Sequence, residues 1–226
     1  MKKILFVATV PEHFLYFHIP CFKMLRENGI EVHAACSGSC HIPECDRRFS
    51  LPVSRSPLSK TNTDAYKQLK RIINENNYDV VHCHTPVGGA LARLASRQAR
   101  KRGTRVFYTA HGFHFCSGAP LINWLVFLPA ERLLSRLTDE LITINDEDYK
   151  CACRLLKAES VRLIHGVGCD LERFKRAESG ERERLRESFG FEADEKIIFY
   201  AAEQNVNKNQ RFLIEALSIL QISVPK

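Results

Sequence analysis

No stretch of this 226-residue chain approaches the ~20 consecutive apolar residues of a membrane-spanning helix, so no such span is expected. No Gly-x-Gly-x-x-Gly follows the first apolar run, which disfavours a dinucleotide-binding dehydrogenase. A Walker A lysine loop is missing, and so is the Gly-x-Ser-x-Gly elbow of a serine hydrolase. The cysteine cluster Cys36, Cys40 and Cys45 has irregular spacing and no second Cys-x-x-Cys knuckle, so a structural zinc site is not expected. Aromatic residues are lacking among the cations Arg97, Arg100, Lys101 and Arg102, where a nucleic-acid surface would interleave them. That cluster reads as a solvated helix end. The opening Met1 to Val10 imitates a signal peptide. Pro11-Glu12-His13 follows instead of a small-residue cleavage site, and a first buried strand fits better.

What is present is an ordinary globular composition, 45% hydrophobic and 26% charged, enough for one large domain or one and a half. A net charge of +7 favours anionic partners such as nucleotide phosphates or acidic lipid. Cys21, Cys36 and Cys83 fall in apolar segments, and Cys151 and Cys153 point apart on a helix. Reduced structural thiols imply a cytoplasmic compartment. Neither a bound metal nor a resident cofactor is expected.

Short β-rich runs alternate with amphipathic helical patterns. Strands are expected at 3–9, 31–36, 51–53, 78–83, 105–109, 141–144 and 161–164. Helices are expected at 18–28, 63–76, 86–102, 121–137 and 147–156, with a kink or break at Pro129. This alternation specifies an α/β fold with a doubly wound, parallel, Rossmann-like sheet. Ligands bind such sheets beyond the carboxyl ends of the strands, which sets His84, His111, Asn145 and His165 along one rim. Residues 1–172 form the first domain and 173–194 a charged linker or exposed helix. Residues 195–226 open a second domain, with a strand at 196–200 and a helix at 208–220, that is cut off after its first βα unit.

Four junctions carry chemistry. In His82-Cys83-His84-Thr85-Pro86-Val87-Gly88-Gly89, Thr85 suits an N-cap and Pro86 a first helical position. Gly88 and Gly89 weaken the first turn, which close approach of a ligand or another backbone would explain. His82 and His84 share one strand face, and His84 is nearer the rim; both could equally be hydrogen-bonded within the sheet's end. In Thr109-Ala110-His111-Gly112-Phe113-His114 another strand ends in a histidine, followed by a glycine that permits an unusual turn. His165-Gly166-Val167-Gly168-Cys169-Asp170 is a glycine-bearing loop. In Ala202-Glu203-Gln204-Asn205-Val206-Asn207-Lys208, a lysine near a helix N-terminus suits a diphosphate.

With Asp139 to Asp148, Gly166 to Phe174 and Lys208-Asn209-Gln210, these junctions resemble, in order and spacing, a family-4 glycosyltransferase of the GT-B fold, in the branch of bacterial exopolysaccharide and capsule synthesis. The resemblance implies two Rossmann-like domains, the first binding the acceptor and the second the nucleotide-sugar donor. It implies transfer with retention of configuration and without an accepted protein nucleophile. His111 would be catalytic, contacting the donor sugar, and Gly112 would leave room for it. His84 would bind substrate toward the acceptor side, and His114 would also be a substrate-binding residue. Lys208 would pair with the donor diphosphate. Where many members carry Gly-Arg, this chain has Ala202-Glu203; a carboxylate cannot neutralise phosphate, so Glu203 would contact a hydroxyl and Lys208 act alone. The family's paired donor-site glutamates fall beyond residue 226, and the chain alone is expected to bind nucleotide-sugar poorly.

The expected partners are therefore a nucleotide-sugar donor, a glycan or polyprenyl-linked acceptor and, through the apolar 121–137 helix, an anionic membrane surface. Nucleic acid is not among them. Two rivals remain: a sugar-nucleotide epimerase of the same architecture, and a non-catalytic half-enzyme that binds a glycan or partner.

Overall fold

The computed structural model describes residues 2–168, 171, 173–178, 180–206 and 208–223, the side chains of 221–223 excepted. Cys169, Asp170 and Glu172 of the glycine-bearing loop, and Asn207 of the lysine loop, lie outside the described residues. The chain forms two compact units, Met1–Cys169 and Asp170–Lys226.

The first unit is built on β1 (Lys3–Val7), β2 (Glu31–Cys36), β3 (Arg47–Ser50), β4 (Val80–His84), β5 (Arg105–Ala110), β6 (Glu140–Thr143) and β7 (Ser160–Leu163). All pairings are parallel, in the order β3-β2-β1-β4-β5-β6-β7. Parallel strands are buried on both faces and read as continuous apolar runs. Leu5 and Val7 accordingly enter one core, with Leu69, Val81 and Tyr108, while Ile4, Phe6 and Ala8 enter the other, with Phe14, Phe22 and Val32. The order reverses between β1 and β4, and that reversal opens a crevice at their carboxyl ends.

The connecting helices are α1 (Glu12–Phe17), α2 (Ile19–Glu27), α3 (Thr61–Asn76), α4 (Pro86–Ala95), α5 (Arg97–Arg100), α6 (Leu121–Ser135) and α7 (Asp146–Leu155). Several differ from the sequence expectation. The helix after β1 starts six residues early and divides at His18. The third strand lies at Arg47–Ser50, not 51–53; it is a polar edge, and Leu51 and Val53 are buried without strand pairing. The helix expected at 86–102 breaks at Ser96. α6 runs through Pro129 uninterrupted: Trp124, Phe127 and Leu128 pack it to the core before the proline, and Glu131, held by Arg93, anchors it after. Of the basic cluster, Arg100 is paired with Asp139 and Arg102 donates to Asn74, which agrees with a structural role.

The second unit carries α8 (Glu181–Ser188) and α9 (Gln210–Ser223). The strand expected at 196–200 does not form. A strand exists by its ladder, and no strand pairs with this segment among the described residues, leaving Ile198 and Phe199 exposed.

At the crevice, α4 starts under unusual constraint. Thr85 holds φ +61° and ψ 148°, a region that residues with a side chain avoid. Its hydroxyl does not cap α4 as expected. It meets the Thr9 hydroxyl at 2.8 Å and accepts from the Thr9 N–H, while Thr9 Oγ1 accepts the Gly88 N–H at 3.3 Å. A Cβ on Gly88 would stand 3.0 Å from the Ala8 carbonyl carbon and the Thr9 nitrogen. A Cβ on Gly89 would stand 2.6 Å from the Tyr108 ring. Close approach of another backbone and of an aromatic ring therefore accounts for both glycines. Tyr108 cannot retreat: the Arg93 guanidinium lies 3.9 Å over its ring. Arg93, wholly buried, also donates to the Gly89 carbonyl and, with both terminal nitrogens, to the Glu131 carboxylate on α6.

Gly89→Ala is expected to cost about 1–3 kcal/mol, the range for overpacking a dense core. Urea denaturation of the purified chain measures it. An unchanged midpoint would mean that the ring moves freely and the knot does not exist.

Candidate active site

The crevice is lined by histidines that reach it from three strands' ends. α1 supplies His13 and the junction to α2 supplies His18, both over 90% buried. β4 supplies His82 and His84, and the loop after β5 supplies His111. His84, at 1% exposure, stacks parallel to Phe6 at 6.1 Å. Its ring lies 4.3 Å from those of His18 and His82 and 5.0 Å from that of His13. His84 Nδ1 and His111 Nε2 approach to 3.4 Å, within hydrogen-bonding reach. His13 and His111 meet edge to face at 4.6 Å. His82 is occupied elsewhere, with Nε2 2.8 Å from the Thr109 hydroxyl.

Burial holds these rings neutral. His13 is lowered to about 3 by burial, and further by His111 and His18. Burial takes His18 to about 4 and His82 to about 3. His84 is pushed well below its ordinary value by burial and by the surrounding imidazoles, and His111 is lowered by burial. Near neutral pH the cluster thus offers lone pairs and N–H donors rather than positive charge.

Gly112 holds φ +135°, and a Cβ there would meet nothing within 4 Å. The backbone turn itself favours a glycine at this position. The turn is tied down where the Phe113 N–H donates to the buried Asp148 carboxylate at 3.3 Å. Asp148 is in turn held by Asn145, which caps α7 by accepting the Asp148 N–H at 2.8 Å. Asn145 is therefore a capping residue that orients the loop of His111. His114 is exposed, with its ring 4.6 Å from that of Phe127. His165 is exposed on the loop after β7, two strands from β5.

Beside the histidines opens a cavity of about 770 Å3. Val10, Phe17, Val87, Leu91, Phe115 and Phe127 make its walls apolar; His13, Gly112 and His114 also line it. Tyr108 and Glu131 belong to its wall, so the packing knot of α4 also shapes the cavity.

Glu203 and Lys208 lie in the second unit, both exposed. The Lys208 N–H donates to the Asn205 side-chain oxygen at 3.0 Å, and its carbonyl accepts from the Tyr200 hydroxyl at 2.7 Å. Asn205 also donates to the Glu203 carboxylate at 3.2 Å, so the two residues share one self-bonded loop ahead of α9.

Sequence reasoning missed His13 and His18. Only their tertiary neighbours mark them, although Phe14, His18 and Phe22 recur at helical spacing.

Solved structures with this fold include sucrose-phosphate synthase from Thermosynechococcus elongatus, with a TM-score of 0.69 and 17% identity, matching 100% of this chain and 60% of that one. The UDP-GlcNAc 2-epimerase from Neisseria meningitidis, bound to UDP-GlcNAc, gives 0.61 and 16%, over 99% of this chain and 62% of its own. The first unit thus has the Rossmann-like architecture of GT-B enzymes. The family model "Glycosyl transferase 4-like" matches residues 3–145, and the chain belongs to that family. EpsD of Bacillus subtilis (strain 168), which carries a provisional glycosyltransferase assignment, is 53% identical over 225 residues, 99% of this chain and 59% of its own. The Escherichia coli UDP-Gal:alpha-D-GlcNAc-diphosphoundecaprenol alpha-1,3-galactosyltransferase is 28% identical over 163 residues, 68% of this chain and 41% of its own. The chain therefore spans less than two thirds of the length of either relative. Among the described residues no helix is long and apolar enough to cross a membrane.

The buried histidines set a pH dependence. Their folded values lie below the ordinary 6.5, so the unfolded chain takes up protons first on acidification. The stability is fully present above pH 6.5 and is lost as pH falls toward 4, at up to about 1.4 kcal/mol per pH unit for each histidine. Denaturant unfolding at pH 7.5, 6.0 and 5.0, above the range of ordinary carboxylates, is expected to show this fall. A flat profile would contradict a neutral buried cluster.

Proposed function

We propose that this protein transfers a sugar, with retention, from a nucleotide-sugar to a polyprenyl-linked or other glycan acceptor during synthesis of a cell-surface polysaccharide. The observation that carries this reading is the apolar cavity ending at His13, Gly112 and His114, beside the histidine rim at the sheet's switch point. An apolar cavity with a polar end suits a lipid-linked sugar. The Escherichia coli relative, whose acceptor is a diphosphoundecaprenol-linked sugar, supports the same acceptor class.

In this reading residues 1–172 handle the acceptor and residues from 195 onward begin the donor side. His111, neutral near pH 7, contacts the donor sugar, and His84 orients it through the 3.4 Å contact. The bond from the anomeric carbon to the diphosphate breaks, and the acceptor oxygen bonds to that carbon from the same face. The hydroxyl proton leaves with the departing phosphate. Lys208 offsets the charge that develops there, and Glu203 takes a donor hydroxyl.

In the same reading the protein acts on the cytoplasmic face of the membrane. The exposure of Leu121, Leu125 and Val126 on α6, at 81%, 72% and 52%, in a helix that also carries Arg132, supports contact with an anionic surface.

The test supplies a panel of nucleotide-sugars and a short polyprenyl-diphosphate-sugar, with the product read by mass spectrometry. Acceptor-dependent product is expected, and His111→Asn should lower kcat by about 100-fold or more. Donor conversion without acceptor would favour the epimerase reading. Binding without turnover would favour a non-catalytic half-enzyme. In flotation with anionic liposomes the protein should rise with the lipid, and a Leu125→Asp, Val126→Asp double variant should stay behind. A parent chain that stays soluble would remove the membrane from the account.

A further inference from the structure

We infer that His13, His18 and His84 form a binding site for a divalent transition-metal ion of the zinc type. One ring nitrogen from each lies within 4.8 Å of the other two, and all three side chains are more than 90% buried. Two of these rings carry a nitrogen that nothing in the fold satisfies: Nε2 of His13 and Nε2 of His84 are buried and have no hydrogen-bond partner among the described residues. A buried polar atom left without a partner costs about 1–3 kcal/mol, so two side by side call for a ligand.

The surrounding bonds select the atoms that would bind. His18 Nδ1–H donates to the His13 carbonyl at 3.3 Å, which leaves its Nε2 with a lone pair. His84 uses Nδ1 toward His111 Nε2 at 3.4 Å, which leaves its own Nε2 for the metal. This is the arrangement in which a second partner fixes the tautomer of a metal-binding imidazole. Three neutral imidazoles suit zinc, copper or nickel better than calcium or magnesium, which take oxygen ligands. Zinc–nitrogen bonds of about 2.0–2.1 Å set tetrahedral ligand nitrogens roughly 3.3 Å apart, so the rings close inward on binding. His13 also lines the apolar cavity, so the fourth position is left for a water or an oxygen of a molecule held there. A metal ion at this place departs from the expectation of none, which rested on the cysteine cluster; the ligands proposed for it come from α1, its junction with α2 and the end of β4.

The test uses the whole 226-residue protein, stripped with a chelator, and cobalt(II) alone as probe. One equivalent should bind and develop the visible bands of a tetrahedral site without the near-ultraviolet bands of thiolate ligation. His13→Gln, which removes a ring with an unpartnered nitrogen, should weaken binding by more than about 100-fold with its circular dichroism unchanged. His84→Gln should do the same, and the exposed His41→Gln should bind like the parent. No uptake, uptake with thiolate bands, or uptake unaffected by His13→Gln would each overturn the proposal.

Discussion

The first turn of α4 approaches β1 and β5 more closely than any side chain allows, and much of the first unit follows from that approach. Gly88 and Gly89 permit it, and Tyr108 fills the space left over. Arg93 then clamps the ring from above and spans to Glu131 on α6. Burying a guanidinium is costly, and a carboxylate that takes two of its nitrogens offsets that cost. Removing one partner alone leaves a buried charge, typically about 3–5 kcal/mol. One arrangement thus sets the start of α4, the placement of α6 and a wall of the cavity. The strained backbone of Thr85 lies at its end, adjacent to His84.

A second constraint is electrostatic. Five imidazoles share one crevice, and mutual repulsion joins burial in keeping them uncharged. Neutral rings in contact can exchange hydrogen bonds and hold an electrophile, which charged rings cannot. The crevice lies at the switch point of a parallel sheet, where the fold itself leaves room for a ligand. Chemistry and topology therefore point to the same place.

Much of this was legible in the residues. β2 was read at Glu31–Cys36 as found, because Val32, Ala34, Ala35 and Cys36 make a short, mostly apolar run that follows Gly29. His84 and His111 were legible as strand-end residues, and the structure brings them within 3.4 Å. Gly88 and Gly89 announced a close approach, but only the fold names Tyr108 as the neighbour. β3 was displaced because Arg47, Arg48 and Ser50 carry the pattern of a solvated edge, while the apolar Leu51 and Val53 beside them are buried outside any strand. His13 and His18 were illegible as site residues, since His84 and His111, which complete the cluster, lie 66 or more positions away in the chain. Residues 196–200 have strand composition, yet composition alone supplies no ladder.

The central claim, that the crevice and its cavity take a lipid-linked acceptor, is tested most directly by hydrogen–deuterium exchange with a short-chain polyprenyl diphosphate-sugar. Slower exchange is expected at 9–17, 84–91, 112–115 and 127–134, the segments around the cavity. Slowing elsewhere alone, or no change at saturating ligand, would contradict it.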